Sequence, residues 1–315
     1  MSLPTRRIGS LEVSTVGLGC NNFGGRIDSM RTKEVVSAAI DCGITFFDTA
    51  DIYGGTRSEQ YLGRALGRRR QDVVVATKFG MQVDPEHKGA KPAYVRQALN
   101  DSLKRLGTDH VDLYQLHAPD PETPIGDTLA ALGEQVRAGK VREIGCSNFS
   151  AEQLRDAHAA VAGGAPRFVS VQNEYSVLHR RPEEGVLDVC EETDTAFIPF
   201  YPLARGLLTG KYRRGEPPPG GTRLAGGGIE QYERIASEEN LSAVERLGDL
   251  AARHGRGAVE LAIAWLLTRP MVASVIAGAT SGDQVRANVK AADWVLGTDI
   301  LAEVDAIVPP GSVRV

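Results

Sequence analysis

Much is missing from this chain of 315 residues. Its four cysteines, Cys20, Cys42, Cys146 and Cys190, form no CxxC pair and no metal-ligand spacing. That pattern does not build a disulfide framework, and a reducing compartment is the simplest expectation. No apolar run approaches the ~18–20 residues of a membrane span. The opening MSLPTRRIGS lacks the apolar stretch of a signal peptide. A soluble cytoplasmic protein with no membrane partner is therefore expected. Positive charge is not in excess: 36 Lys and Arg stand against 40 Asp and Glu, net −4, which argues against nucleic acid as the main partner. No His cluster suggests a metal, no nucleophile stands beside a base, and there is no internal repeat or interdomain linker. One domain spanning residues 1–315 is the expectation.

What remains is enough for a large core, since 42% of the residues are apolar. TRRIGSLEVS reads as a hairpin turning at Gly9-Ser10. Strand signals then follow at 16–20, 45–47, 73–77, 111–116, 143–146, 168–172, 196–199 and 274–276. Helical signals separate them at 32–41, 58–66, 91–106, 125–138, 151–160, 182–192, 257–267 and 283–291, with apolar spacings of three and four such as Leu99, Leu103 and Leu106. Ser150 and Ser281 read as N-caps. Eight β-then-α units predict an α/β fold, a (β/α)8 TIM barrel with an N-terminal β-hairpin and extra helices. An open doubly wound sheet would want a GxGxxG turn after its first strand, and GCNNFGG does not fit. Residues 209–237, rich in Pro and Gly, read as a long functional loop. An extra helix follows at 239–254.

The strand ends carry the chemistry. ITFFDTADIYG ends an apolar run in Asp48, Asp51 and Tyr53, and Gly54 and Gly55 then release the chain. VVVATKFG brings Lys78, DLYQLH brings His117, EIGCSNF brings Ser147 and Asn148, and SVQNEY brings Gln172 and Asn173. In a barrel these ends share one rim. A free phenol has a pKa near ~10, and a neighbouring ammonium lowers it. A carboxylate beside that ammonium keeps it charged. Tyr53 could then protonate a carbonyl oxygen while His117 orients it.

GITFFDTADIYG, ATKFG, LYQLH, GCSNF and PLARGLLTGKY together resemble the aldo-keto reductase family, in the family's order and over nearly the whole chain. The branch it is most similar to includes bacterial reductases and potassium-channel β-subunits. The resemblance implies a barrel that transfers hydride from NADPH, with NADH possible, to a small aldehyde or ketone. It implies Asp48, Tyr53, Lys78 and His117 as the catalytic tetrad, with Tyr53 as proton donor. For the cofactor it implies Gly19, Cys20 and Asn21 at the first strand end, and Asp48. Ser147, Asn148 and Gln172 would hold the nicotinamide carboxamide, and Phe200 would stack on the ring. Tyr201, Pro202, Leu203, Ala204, Arg205 and Gly206, with Lys211 and Arg223, would follow the pyrophosphate and 2′-phosphate. Gly278, Thr280, Gln284 and Asn288 would take the adenosine end.

Tyr201 departs from a common Ser, and Gly278, Gln284 and Ala287 depart from a common Lys, Arg and Glu. Arg213 and Arg214 add positive charge near Lys211. Asn21, Asn22, Phe23, Phe79, Met81 and Leu224 are expected to line the substrate pocket. The family leans to a monomer. A sugar or polyol dehydrogenase and a non-catalytic NADPH-sensing subunit are the competing functions. The short stretches outside the barrel motifs offer the latter no docking segment.

Overall fold

The chain begins with the antiparallel hairpin of β1 (Thr5–Ile8) and β2 (Leu11–Ser14), with Thr5 opposite Ser14 and Ile8 opposite Leu11. This computed structural model describes residues 3–161 and 166–315. Eight strands follow: β3 (Val16–Gly19), β4 (Phe46–Asp48), β5 (Val74–Phe79), β6 (Val111–Leu116), β7 (Val141–Ser147), β8 (Ser170–Glu174), β9 (Ala196–Phe200) and β10 (Val275–Gly278). All eight pair in parallel, in the order β10-β3-β4-β5-β6-β7-β8-β9. Phe197 draws the two ends together. Its N–H donates to Met271 O at 2.7 Å, and its C=O accepts from Ala273 N–H at 3.0 Å. A (β/α)8 barrel results. Among the described residues, no helix is long and apolar enough to cross a membrane.

Strand side chains alternate between faces. Phe46, Val74, Ala76, Leu113, Ile198 and Ile276 point inward and fill the barrel with Ile8, Leu11 and Val13 of the hairpin. The hairpin therefore closes the N-terminal end. Each large apolar side chain buried there contributes about 1.5–3 kcal/mol. The alternate residues Phe47, Val75, Tyr114 and Val171 face the helices in the outer core. Counting by two from the inner set also predicts what reaches the open end. Phe46 leads to Asp48, Ala76 to Lys78, Leu113 to Gln115 and His117, Ser170 to Gln172, and Ile198 to Phe200.

Some boundaries differ from the sequence pattern. Thr45 precedes β4, where its hydroxyl accepts from Ser14 N–H at 2.9 Å. Lys78 lies within β5 and not beyond it, and β8 starts two residues after Phe168. The helix expected over 182–192 is split into a 3-10 turn, Arg181–Glu183, and a helix, Val186–Glu192. Gly185, at φ +103°, separates them. The segment 209–237 is not simply loop, because it contains the helix Ile229–Ile235, which buries Tyr232 and Ile235. The extra helix spans Glu238–Arg253. A further helix, Thr298–Ile307, buries Ile300, Val304 and Ile307 at helical spacing and had not been anticipated. Ser150 caps its helix in a reciprocal box with Gln153, with bonds of 3.2 and 3.0 Å. Ser281 caps the helix Gly282–Val289.

Candidate active site

The inward residues of β4, β5, β6 and β8 meet at the C-terminal end. Lys78 is fully buried, and its Nζ donates to Asp48 Oδ2 at 2.6 Å and to Thr49 O at 2.9 Å. The Tyr53 hydroxyl lies 3.4 Å from the same Nζ. Asp48 Oδ1 accepts from Gln172 Nε2 at 2.8 Å and from Gln115 Nε2 at 3.2 Å. The buried ion pair is thus also hydrogen-bonded on its far side, which such pairs require. Gly54, after Tyr53, has φ +60°, and a Cβ there would lie 2.3 Å from Phe23 O. Only glycine lets the chain turn this close to the first loop.

Burial opposes ionisation of the Lys78 ammonium, but Asp48 and the Tyr53 phenol outweigh it and hold its pKa above the ordinary value. Burial likewise pushes the Tyr53 phenol up, and Lys78 pulls it down by less. The sequence pattern predicted a lowered phenol because it registers the ammonium but not the desolvation. The side chain therefore carries its proton at neutral pH.

His117 sits edge-on to Tyr53, with ring centroids 5.7 Å apart. Its Nδ1 is buried without a hydrogen-bond partner. Burial first, and then the Lys78 ammonium, drives its pKa down to about 3. The imidazole is neutral above that, so it can orient an oxygen but does not deliver a second proton. The unfolded chain binds the His117 proton near pH ~6.5, whereas the native chain does so only near about 3. His117 therefore costs no stability above ~6.5, and stability is lost as pH falls from there toward 3. The His117 ring resonances in NMR are expected to stay in the neutral position down to pH ~4. A ring titrating near 6.5 would contradict this environment.

These groups open into a cavity of about 830 Å³. Every residue expected at the catalytic and cofactor sites lines it, except Lys78 and Ala204. Lys78 stands behind Tyr53. Ala204, at φ +47°, is fully buried and turned into the core. Ser147, Asn148 and Gln172 are tied to one another and to His117 and Asp48. Ser147 Oγ donates to Gln172 O at 2.7 Å, and Asn148 Nδ2 donates to His117 O at 2.9 Å.

Three non-glycine residues within 201–206, Tyr201, Ala204 and Arg205, have positive φ. Such concentrated backbone strain is typical of ligand-holding segments. The Tyr201 ring lies under the guanidinium of Arg205 at 4.5 Å and that of Arg223 at 5.2 Å. Arg223 also reaches Asn21 Oδ1 and Asn22 Oδ1, both at 3.0 Å, and so joins the late segment to the first loop.

Of the residues expected around the substrate, Asn21, Asn22 and Met81 line the cavity, but Phe23, Phe79 and Leu224 do not. Phe79 follows Lys78 and must point to the opposite face, where it stacks on Tyr114 at 4.6 Å. Phe23 and Leu224 are buried in the outer core. Arg213 and Arg214 are also absent from the lining, and Arg214 pairs with Glu238 and Glu245, each at 3.1 Å. The cation that sequence reasoning missed is Arg26. It lines the cavity and donates to Gly221 O, 195 residues away. Arg205 pairs with Glu174 at 3.4 Å. Among the described residues, no carboxylate lies within 4 Å of Arg26, Lys211 or Arg223. Partial burial and mutual repulsion lower the pKa of Arg26 and Lys211.

Comparison with known proteins points one way. The model of the Aldo/keto reductase family matches residues 15–309. The chain is 34% identical over 331 residues to Protein tas of Escherichia coli, covering 95% of each chain. It is 36% identical over 283 residues to aldo-keto reductase yakc [NADP(+)] of Schizosaccharomyces pombe, covering 85% of this chain and 81% of that one. It is 34% identical over 312 residues to a probable voltage-gated potassium channel subunit beta of Oryza sativa, covering 95% and 94%.

Proposed function

We infer, because the chain belongs to the aldo/keto reductase family, that it reduces a small aldehyde or ketone to the alcohol with NADPH, Tyr53 giving the proton. The observation that carries this reading is the Tyr53 hydroxyl, 3.4 Å from a fully buried ammonium that is itself 2.6 Å from Asp48. As an alkoxide develops on the substrate, the Tyr53 O–H bond breaks and its proton moves to that oxygen. The tyrosinate left behind faces Lys78, whose charge Asp48 secures. Neutral His117 holds the substrate oxygen through a ring N–H. Charge that forms during the reaction is thus met by groups already in position.

The cavity fits a dinucleotide in its chemistry as well as its size. Arg26, Lys211 and Arg223 form a crowd of cations with no carboxylate paired to them among the described residues, which favours a phosphate-bearing ligand. The bound nicotinamide dinucleotide supplies the hydride. Ser147, Asn148 and Gln172 would hold its carboxamide, and Phe200 would flank the ring. Pro202, Leu203, Arg205 and Gly206 with Lys211 and Arg223 would hold its phosphates, while Gly278, Thr280, Gln284 and Asn288 would take the adenosine. The NADP(+) in the name of the fission-yeast relative agrees with the choice of NADPH over NADH.

Titration of nicotinamide fluorescence tests the cofactor assignment. Lys211→Ala is expected to weaken NADPH about tenfold and to change NADH by much less. Equal losses would remove Lys211 from the 2′-phosphate. Tight NADPH binding without turnover of any carbonyl would instead favour a binding subunit.

A further inference from the structure

Behind Tyr53, on the helix side of β4 and β5, lies a polar cluster that the proton chemistry above does not use. Asp51 is 2% exposed, and neither of its carboxylate oxygens has a hydrogen-bond partner. Glu59, from the helix Arg57–Leu66, is fully buried beside it but is tied at both oxygens. Its Oε1 accepts from Thr77 Oγ1 at 2.6 Å, and its Oε2 from Arg105 Nε at 2.6 Å. Tyr94, from the helix Pro92–Leu106, and Tyr114, from β6, also face Asp51. The Tyr114 hydroxyl is buried without a partner as well. The cations facing Asp51 are Arg105 and Lys78. Arg105 is engaged by Glu59, and Lys78 by Asp48.

A carboxylate in this setting has no side-chain donor, only the adjacent Ile52 N–H to oppose its protonation, and no free countercharge, and a second carboxylate adjoins it. Its charged form is strongly disfavoured. Burial first, and then Glu59, pushes the Asp51 carboxyl up to about 7. Its backbone is tied directly to the machinery. The Asp51 N–H donates to Lys78 O at 3.1 Å, and the Tyr53 N–H donates to Ala50 O at 3.2 Å. Asp51 and Tyr53 therefore share one turn fastened to β5.

We propose that Asp51 is a positioning residue for the reduction, standing as a neutral acid behind the Tyr53 turn, and that its ionisation impairs proton delivery. The inference rests on Tyr53 as proton donor. Ionised Asp51 adds a buried negative charge on the same turn and opposes formation of the tyrosinate. Neutral Asp51 leaves Lys78 to stabilise that tyrosinate. A break in activity near pH 7 would by habit be assigned to a histidine. Here His117 is already neutral, and on this proposal such a break would belong to Asp51.

The test is Asp51→Asn, which keeps the shape of the neutral acid. In the wild type, kcat is expected to fall about tenfold as pH rises through about 7, while the variant holds its low-pH kcat across that range. The ionisation of the Tyr53 phenol, read by ultraviolet difference absorbance against Tyr53→Phe, is expected at lower pH in Asp51→Asn. The stability gap between variant and wild type is expected to widen from pH ~4 to about 7 and then level off, because over that window the native wild type holds a proton the unfolded chain has lost. Asp51→Ser provides the same comparisons if the Asn variant does not fold. An unchanged kcat break together with an unmoved Tyr53 ionisation would overturn the proposal. A shifted Tyr53 ionisation in a protein that turns over no carbonyl would support the coupling and fault the reductase reading alone.

Discussion

Replacing Tyr53 by Phe is expected to lower kcat for carbonyl reduction by about a thousandfold, with NADPH affinity within about threefold of wild type. The size follows from losing the proton donor proposed for the substrate oxygen. His117 cannot substitute, because burial and the Lys78 charge hold it neutral, with a pKa of about 3. The small effect on binding follows from where the hydroxyl points. Its hydrogen-bond partner is Lys78 Nζ, and its ring meets that of His117 nearly at right angles. Removing one oxygen leaves both the strained segment from Tyr201 to Gly206 and the free cations in place. The check is steady-state kinetics beside a fluorescence titration of the same preparations. A parallel collapse of NADPH affinity would show that Tyr53 holds the cavity together and does not act on the substrate.

Lys78→Met is expected to damage both stability and catalysis. The ammonium is fully buried against an almost fully buried carboxylate. Removing it leaves Asp48 with amide donors from Gln115 and Gln172 but no countercharge. Stranding one partner of a buried pair costs about 3–5 kcal/mol. Turnover should fall by about a hundredfold or more, since the tyrosinate loses the charge that stabilises it. The double variant Asp48→Asn, Lys78→Met separates the two effects. It should recover most of the stability, because no lone charge is left buried, while staying inactive. Urea unfolding and kinetics on the wild type and the two variants decide this. Recovery of activity in the double variant would mean that the ammonium has no part in the chemistry.

Much of this site was legible in the sequence because polar residues are conspicuous in buried strands. Asp48 and Lys78 each interrupt an apolar run, and the period of two that places Phe46 and Ala76 in the barrel places them beside each other. The same count finds Gln115, although a glutamine within LYQLH carries no charge to mark it. Phe79, expected in the pocket, lies outside it for the converse reason. Nearness in sequence to Lys78 suggested nearness in space, and strand alternation forbids it. Arg26 left no local signal, since its partner Gly221 comes from a distant segment. The helix Ile229–Ile235 was hidden by flanking Gly and Pro residues, and the direction of the Tyr53 shift by desolvation, which no motif encodes. Ala204 shows the limit of carrying a run of residues over as a block. Its backbone belongs to the strained segment, but its side chain faces the core.

The central claim is that this cavity reduces carbonyls with NADPH. Its most direct test is the absorbance of the nicotinamide band when purified protein, NADPH and a panel of simple aldehydes are mixed. The account predicts loss of that band, one alcohol formed per NADPH consumed, with wild type and not with Tyr53→Phe. Tight NADPH binding with no aldehyde-dependent loss for any carbonyl, or equal loss with Tyr53→Phe, would contradict it.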